Sequence, residues 1–367
     1  MKPFCLALLV LWSCIMNSTI AATIPVYLAS PSKEQGGIFL AQLDTETGKL
    51  STPKRLTDAR SSFLAIAPSK KNLYAVGDDK IHAFAIDAAS KKLTPLNEQP
   101  SGGRGPCYVS INPAGTHTLI ANYSGGTASV VPIKPDGSLA APTAVVTHTG
   151  SGPNPKRQKE PHPHSINLDP QGKLALVADL GLDRIKLYEL DPAKGTLTPA
   201  DPPFIKTPAG GGPRHLDFHP NGKFLYVNNE MGCSVTALEY LGGGKARELQ
   251  TITTLTRPVT DADTTSEIQV HPSGKFLYCA NRGPDEIVSF AIDGGTGKLT
   301  AIGHTPTEGK TPRHFAIDPS GRLLLAANQN SSNITVFEID QTTGELTSTG
   351  VTVETPTPVS VAFLPAK

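Results

Sequence analysis

The chain has little of what most other fold and function classes require. Only five of its 367 residues are cysteine, and two of them, Cys5 and Cys14, fall in an N-terminal segment that reads as removable. The other three, Cys107, Cys233 and Cys279, are odd in number and lack metal-ligand spacing. That argues against a disulfide framework and against a zinc site. The one tryptophan, Trp12, lies in the same N-terminal segment. Its absence elsewhere argues against a WD-type array, whose repeat is also shorter, at ~40–45 residues. Charge of either sign is not in excess: 33 basic residues face 32 acidic ones. Without Lys2 the two are equal, so no global field draws nucleic acid or an anionic membrane surface. Helix-period apolar patterns are scarce, and no apolar run is long enough to span a bilayer.

The N-terminus has the form of a secretory signal. Lys2 is the charged start, Phe4 to Val10 the apolar run, and Thr19-Ile20-Ala21-Ala22 the small-residue cleavage region. Residues 1–22 are therefore expected to be removed, with 23–367 as one exported domain, periplasmic or extracellular. A lipoprotein variant at Leu11-Trp12-Ser13-Cys14 is disfavoured by the bulk of Trp12.

Glycine and proline are plentiful, 34 and 33 respectively, and the prolines are periodic. Pro68, Pro113, Pro170, Pro220, Pro272, Pro319 and Pro365 are spaced by 45, 57, 50, 52, 47 and 46 residues. Several open a turn such as Asp169-Pro170-Gln171-Gly172-Lys173. A period near 50 denotes an array. The residues four and two places before each proline are apolar in every copy, from Leu64 and Ile66 to Val361 and Phe363. This alternation predicts a strand. A second strand follows the turn (Leu225-Tyr226-Val227-Asn228), then a third (Ile334 to Asp340), then a Gly-x-Leu signal and a weaker fourth. Four strands per unit is a β-propeller blade. Pro365 has no room for later strands, whereas residues 26–50 supply three without a first. The fold is thus predicted to be all-β, a seven-bladed propeller whose last blade is shared between the termini, which removes the exposed edges.

The proline also serves as a ruler for a site. First strands line the channel, and a hairpin centred on the turn sets the residue at −6 opposite the one at +9. Residues at −6, −5, +9 and +10 are expected at one rim. Unlike the uniform apolar offsets, these vary: His164, Arg214 and Arg313 at −6; His215, Glu267 and His314 at −5; Asn281 at +9; Glu230, Arg282 and Gln329 at +10. The recurring Asn at +9 and the His219 and His271 that precede prolines read chiefly as turn or strand-end groups. The long interval before Pro170 holds a Pro-rich basic insertion, 150–163, that enters the same rim and reads as a candidate lid over an anionic substrate. His162 and His164 are two apart, but no third ligand joins them in a metal motif, so no metal and no cofactor is expected.

Pro161-His162-Pro163-His164-Ser165, Gly212-Pro213-Arg214-His215, Asn229-Glu230, Ser266-Glu267-Ile268, Asn281-Arg282-Gly283, Pro312-Arg313-His314-Phe315 and Ala327-Asn328-Gln329 together resemble the seven-bladed propeller lactonase family. That family includes 6-phosphogluconolactonase and is related to fungal carboxy-cis,cis-muconate cyclase. The resemblance covers essentially the whole chain after the signal. It implies a lactonase, a carboxylic ester hydrolase, with His164, Glu230, Arg214 and Arg282 as catalytic residues. His162, His215, Arg313, Gln329, Asn281 and Glu267 are the candidate substrate contacts. The expected partner is a small lactone, anionic or sugar-derived, with no nucleic acid and no membrane span. The alternatives are a muconate-type cyclase or lyase, and a non-catalytic exported binding module. The base is left open between His164 and Glu230.

Overall fold

The computed structural model describes residues 23–365, so the signal segment and its lipoprotein variant lie outside the described residues. Those residues form 28 strands in seven four-stranded antiparallel sheets. The sheets are blades of one ring: 63–100, 106–147, 163–206, 213–253, 264–306, 312–354, and a seventh made of 23–57 with 360–363. The seventh closes the ring, as Ser360–Phe363 pairs with Thr23–Ser30 (Val26 with Phe363, Ala29 with Ser360).

Each blade packs on both faces, which is why its inner strands are apolar nearly throughout. Seven buried clusters fill the seven junctions between neighbouring blades. Leu119 and Val130 meet Ile166 and Val177 between the second and third blades, for example. The outer strands alternate exposed and half-buried residues.

Polar staples join the blades as well. The hydroxyls of Tyr74, Tyr226 and Tyr278 donate to the carbonyls of Gly137, Gly297 and Gly344 in the next blade at 2.9, 3.0 and 2.9 Å. His219 and His271, which precede anchor prolines, reach the turn glycines Gly274 and Gly321 of the next blade at 2.8 and 2.7 Å. Those glycines have φ of 72° and 77°, and a Cβ there would strike the imidazole at 2.6 Å, so glycine is required twice over.

The hairpin register holds for most of each first strand and then breaks. Ile166 faces Val177 and Ile268 faces Cys279, as the ruler requires. At the rim, however, Asn122, Asp179, Asn229, Asn281 and Asn328 face the residue at −7 (Pro106, Pro163, Pro213, Thr265 and Pro312) and not the one at −6. A β-bulge occupies this point in five blades, and four of the five −7 residues are prolines with no N–H for the ladder. The extra residue re-aims the side chains at −6 and −5.

Tyr278→Phe should cost about 1–3 kcal/mol, because it leaves the Gly344 carbonyl without its buried donor. Urea unfolding of the two proteins measures this, and equal midpoints would show that the staple is dispensable.

Candidate active site

Two cavities open along the channel axis. The first, about 430 Å³, is lined by rim residues including Cys107, Tyr123, Arg157, His164, Glu230, Arg282 and Arg313. The second, about 630 Å³, lies at the turn end and includes Pro113, Pro170 and Pro220. Between them the −5 residues form a floor. Phe63 stacks on Tyr108 with centroids 4.3 Å apart, and His215 and His314 meet Phe63 edge-on at 6.0 and 5.3 Å. The rim of the sequence reading is therefore two layers: Cys107, His164 and Arg313 at −6 and Tyr123, Glu230 and Arg282 at +10 line the first cavity, and the −5 side chains lie beneath it. The bulge causes the split, by turning consecutive residues to different depths.

In the larger cavity several polar groups are engaged in blade-to-blade bonds, although the Asn167 Nδ2 is buried without an acceptor among the described residues. Ser110 Oγ donates to the Ile166 carbonyl, Asp217 accepts from Val270 N–H, and Gln269 donates to the Phe315 carbonyl. The rim cavity differs, with three arginines around one carboxylate among its lining residues.

Glu230 is the hub of that cavity. Its Oε2 accepts from Arg214 Nε at 3.0 Å and lies 3.1 Å from Arg282 Nη2, while its Oε1 accepts from Arg157 Nη2 at 2.8 Å. Burial by itself opposes the charge, yet Arg282 and Arg214, with His164 and Arg157, hold the carboxyl well below the usual range. Glu230 is an ionised anchor and a poor proton acceptor. His164 is also buried, and burial together with Arg214 lowers its imidazole well below the ordinary value. It is neutral at pH 7.

The two other rim arginines have unmet donors. Arg282 donates Nη2 to the Thr265 carbonyl at 2.8 Å, but its Nε–H is buried without an acceptor among the described residues. Arg313 lines the cavity and makes no hydrogen bond or ion pair with the described residues, while burial and Arg282 lower its pKa. A buried donor without a partner is rare and costly, and the Arg282 Nε–H belongs to this cavity.

Other candidates lie outside the cavity lining. Arg214 is beneath it, bonded to Glu230, to the Ser266 carbonyl and to His215 Nε2 at 3.2 Å. Because that arginine donates, His215 carries its proton on Nδ1 and donates to Glu267 at 3.1 Å. His314 Nε2 lies 3.1 Å from the same oxygen. Burial pushes the Glu267 carboxyl up to about 8, a rise that Arg214 and the Ile268 N–H offset only in part. His215 and Glu267 therefore orient Arg214 from below. Asn281 is fully buried, bonded to both polar atoms of Thr254 at 2.7 Å, so its amide clamps the chain between blades. Gln329 is half-buried and off the lining. His162 stacks on Tyr123 at 4.3 Å and donates to its carbonyl from Nδ1 at 3.1 Å, so it braces the wall.

Lining side chains beyond the sequence candidates include Cys107, Tyr123 and Arg157. Cys107 and Tyr123 sit at counted offsets, −6 and +10, but were not singled out. The Cys107 Sγ is 3.8 Å from His164 Nδ1, and burial pushes its thiol up to about 12, far from a thiolate nucleophile. Arg157 belongs to the basic insertion, whose composition showed a charge near the rim without showing which residue reached it.

The profile of the family described as Lactonase, 7-bladed beta-propeller, matches residues 25–363. The 6-phosphogluconolactonase of Bacillus subtilis (strain 168) is 38% identical over 278 residues, 74% of this chain and 78% of that protein. That of Formosa agariphila is 36% identical over 281 residues, 74% and 79% of the two chains. Among solved structures, the periplasmic gluconolactonase of Pseudomonas aeruginosa has a TM-score of 0.88 at 30% identity, covering 94% of this chain and 99% of that one. The chain belongs to the seven-bladed β-propeller lactonase family. As a member it is a lactonase, a carboxylic ester hydrolase.

Glu230→Gln should destabilise the fold by about 3–5 kcal/mol, because two buried guanidiniums lose their counter-charge. Chemical denaturation at pH 7 tests this; a loss below about 1 kcal/mol would show that the arginines do not depend on it.

Proposed function

We propose that this lactonase opens an anionic sugar lactone, as its relatives named 6-phosphogluconolactonase suggest, with His164 as general base and arginines as oxyanion donors. The observation that carries this is the pair of unmet guanidiniums, Arg282 with its unpartnered Nε–H and Arg313 with no partner among the described residues. An ester carbonyl that gains negative charge on water attack is the acceptor such donors lack.

Neutral His164 takes a proton from water as the oxygen adds to the lactone carbonyl. Arg282 and Arg313 stabilise the tetrahedral oxyanion. Collapse expels the ring oxygen, which takes the proton back from His164 and leaves a hydroxy acid. Glu230 holds Arg282 and Arg214 in place, and Arg214 rests in turn on His215 and Glu267. The scheme uses side chains and water. Lactonase relatives favour hydrolysis over the muconate-type cyclase reading, although a dicarboxylate would suit the same arginines.

Residues 23–367 act as one exported domain in this reading. The N-terminal segment supports export, and so does the likeness to a periplasmic gluconolactonase. No helix among the described residues is long and apolar enough to cross a membrane.

His164→Ala and Arg282→Ala should each lower kcat/KM by about 10²–10³-fold with the fold retained, measured by pH-stat on δ-gluconolactone and its 6-phosphate after subtracting spontaneous opening. Full activity in either variant would remove that residue from the mechanism. The base works in its neutral form and its pKa is depressed, so the acid limb of kcat/KM should lie below pH 6.5. A limb at or above 6.5 would contradict a buried His164 base.

A further inference from the structure

The 150–163 insertion is built as a fixed arm. Gln158 is fully buried, and its Nε2 donates to the Leu180 carbonyl at 2.8 Å and to Asp183 Oδ1 at 2.7 Å. Its Oε1 accepts from Asn154 N–H at 2.9 Å, and Asn154 Oδ1 accepts in turn from the N–H groups of Lys156 and Arg157 at 2.9 and 3.1 Å. Asp183 also accepts from Gly212 N–H at 2.8 Å, and the Gly212 carbonyl accepts from Glu230 N–H at 2.7 Å. The arm and the Glu230 strand end therefore share one hydrogen-bonded frame. A Cβ on Gly152 would meet the Gln158 amide at 2.6 Å, so the arm closes tightly on its own buried residue. The ion pair of Lys156 with Asp261 is exposed and adds little.

What this frame presents to the cavity is Arg157. Its guanidinium bonds Glu230 Oε1 and, at 3.2 Å, the Tyr123 hydroxyl. It is the outermost of the three arginines on Glu230: its side chain is 40% exposed, against 15% for Arg282 and 2% for Arg214. The single charge of Glu230 is already met by the two inner arginines. Arg157 is therefore surplus to the charge balance, held at the mouth on a rigid arm and free to take a second acceptor. Arg282 and Arg313 serve the ester in the reading above, so an acceptor at the mouth lies on the other end of the substrate.

We infer that Arg157 is the specificity-determining residue that selects lactones with a second anionic group, phosphate or carboxylate, remote from the ester. The inference rests on the lactonase reading above. The remote group replaces or joins Glu230 Oε1 as acceptor of the Arg157 guanidinium, in the planar two-point geometry suited to phosphate and carboxylate. Tyr123 keeps the guanidinium in place during the exchange.

The test compares kcat/KM for δ-gluconolactone, its 6-phosphate and a glucaric acid lactone, in the wild-type protein and in Arg157→Gln and Arg157→Lys. The wild type should favour a charged lactone. Arg157→Gln should lower the charged-to-neutral ratio by roughly 10- to 100-fold, mainly through KM, and Arg157→Lys should restore part of it. The larger loss, on phosphate or on carboxylate, identifies the group. An unchanged ratio, or equal losses on charged and neutral lactones, would overturn the assignment and leave Arg157 as a support for Glu230. Calorimetry with 6-phosphogluconate and gluconate needs no turnover. A wild type that opens no lactone would sink the lactonase reading, yet tighter binding of 6-phosphogluconate that Arg157→Gln abolishes would still support the role of Arg157. Equal affinities for the two acids would overturn it.

Discussion

Ring closure is the constraint on which the rest depends. Four backbone pairings between Ser360–Phe363 and Thr23–Ser30 join the last strand of the chain to the first described one. Without them the ring has two open edges, and the junction that joins the seventh blade to the first loses its innermost strand. Tyr27, Leu64 and Val359 share that junction's buried cluster. Closure also places the seven first strands around one axis, which is the only reason residues from distant repeats meet.

On this ring the local departure from regularity does the chemical sorting. The apolar pairs keep a strict antiparallel register, because each face is buried against a neighbouring blade and a slip would turn the whole strand inside out. At the rim that demand ends and the bulges begin. One inserted residue sends His164 and Arg313 toward the cavity and His215, Glu267 and His314 into the floor. The floor in turn sets the hydrogen-bond polarity of the arginine above it. The buried acid below and the open site above are one connected arrangement, running from Glu267 through His215 and Arg214 to Glu230.

Charge in the rim cavity is deliberately out of balance. Glu230 is shared by three arginines, and Arg313 makes no ion pair with the described residues. In a low-dielectric cavity such crowding is costly. Arg214 shows the strain, since burial and its cationic neighbours push it down to about 9. An incoming or developing negative charge relieves it, and this is how a binding cost in the empty protein becomes stabilisation of a reacting ester.

The repeat was legible because burial on both faces forces the same residue types into every copy: the prolines, the apolar pairs and the Gly-x-Leu signals yielded blade number, strand count and the shared seventh blade. The same ruler gathered His164, Glu230, Arg282 and Arg313 from separate repeats, and these do line one cavity. It placed His215, Glu267 and Asn281 one layer too high, since a bulge changes depth without changing spacing. Arg157 and the Glu230 hub were out of its reach, because an insertion has no repeat equivalent to be measured against. Periodicity is a local property that sequence records directly. Which carboxylate faces which guanidinium, which donors stay unmet and which imidazole is neutral depend on distances between strands far apart in the chain, and only the closed ring decides them.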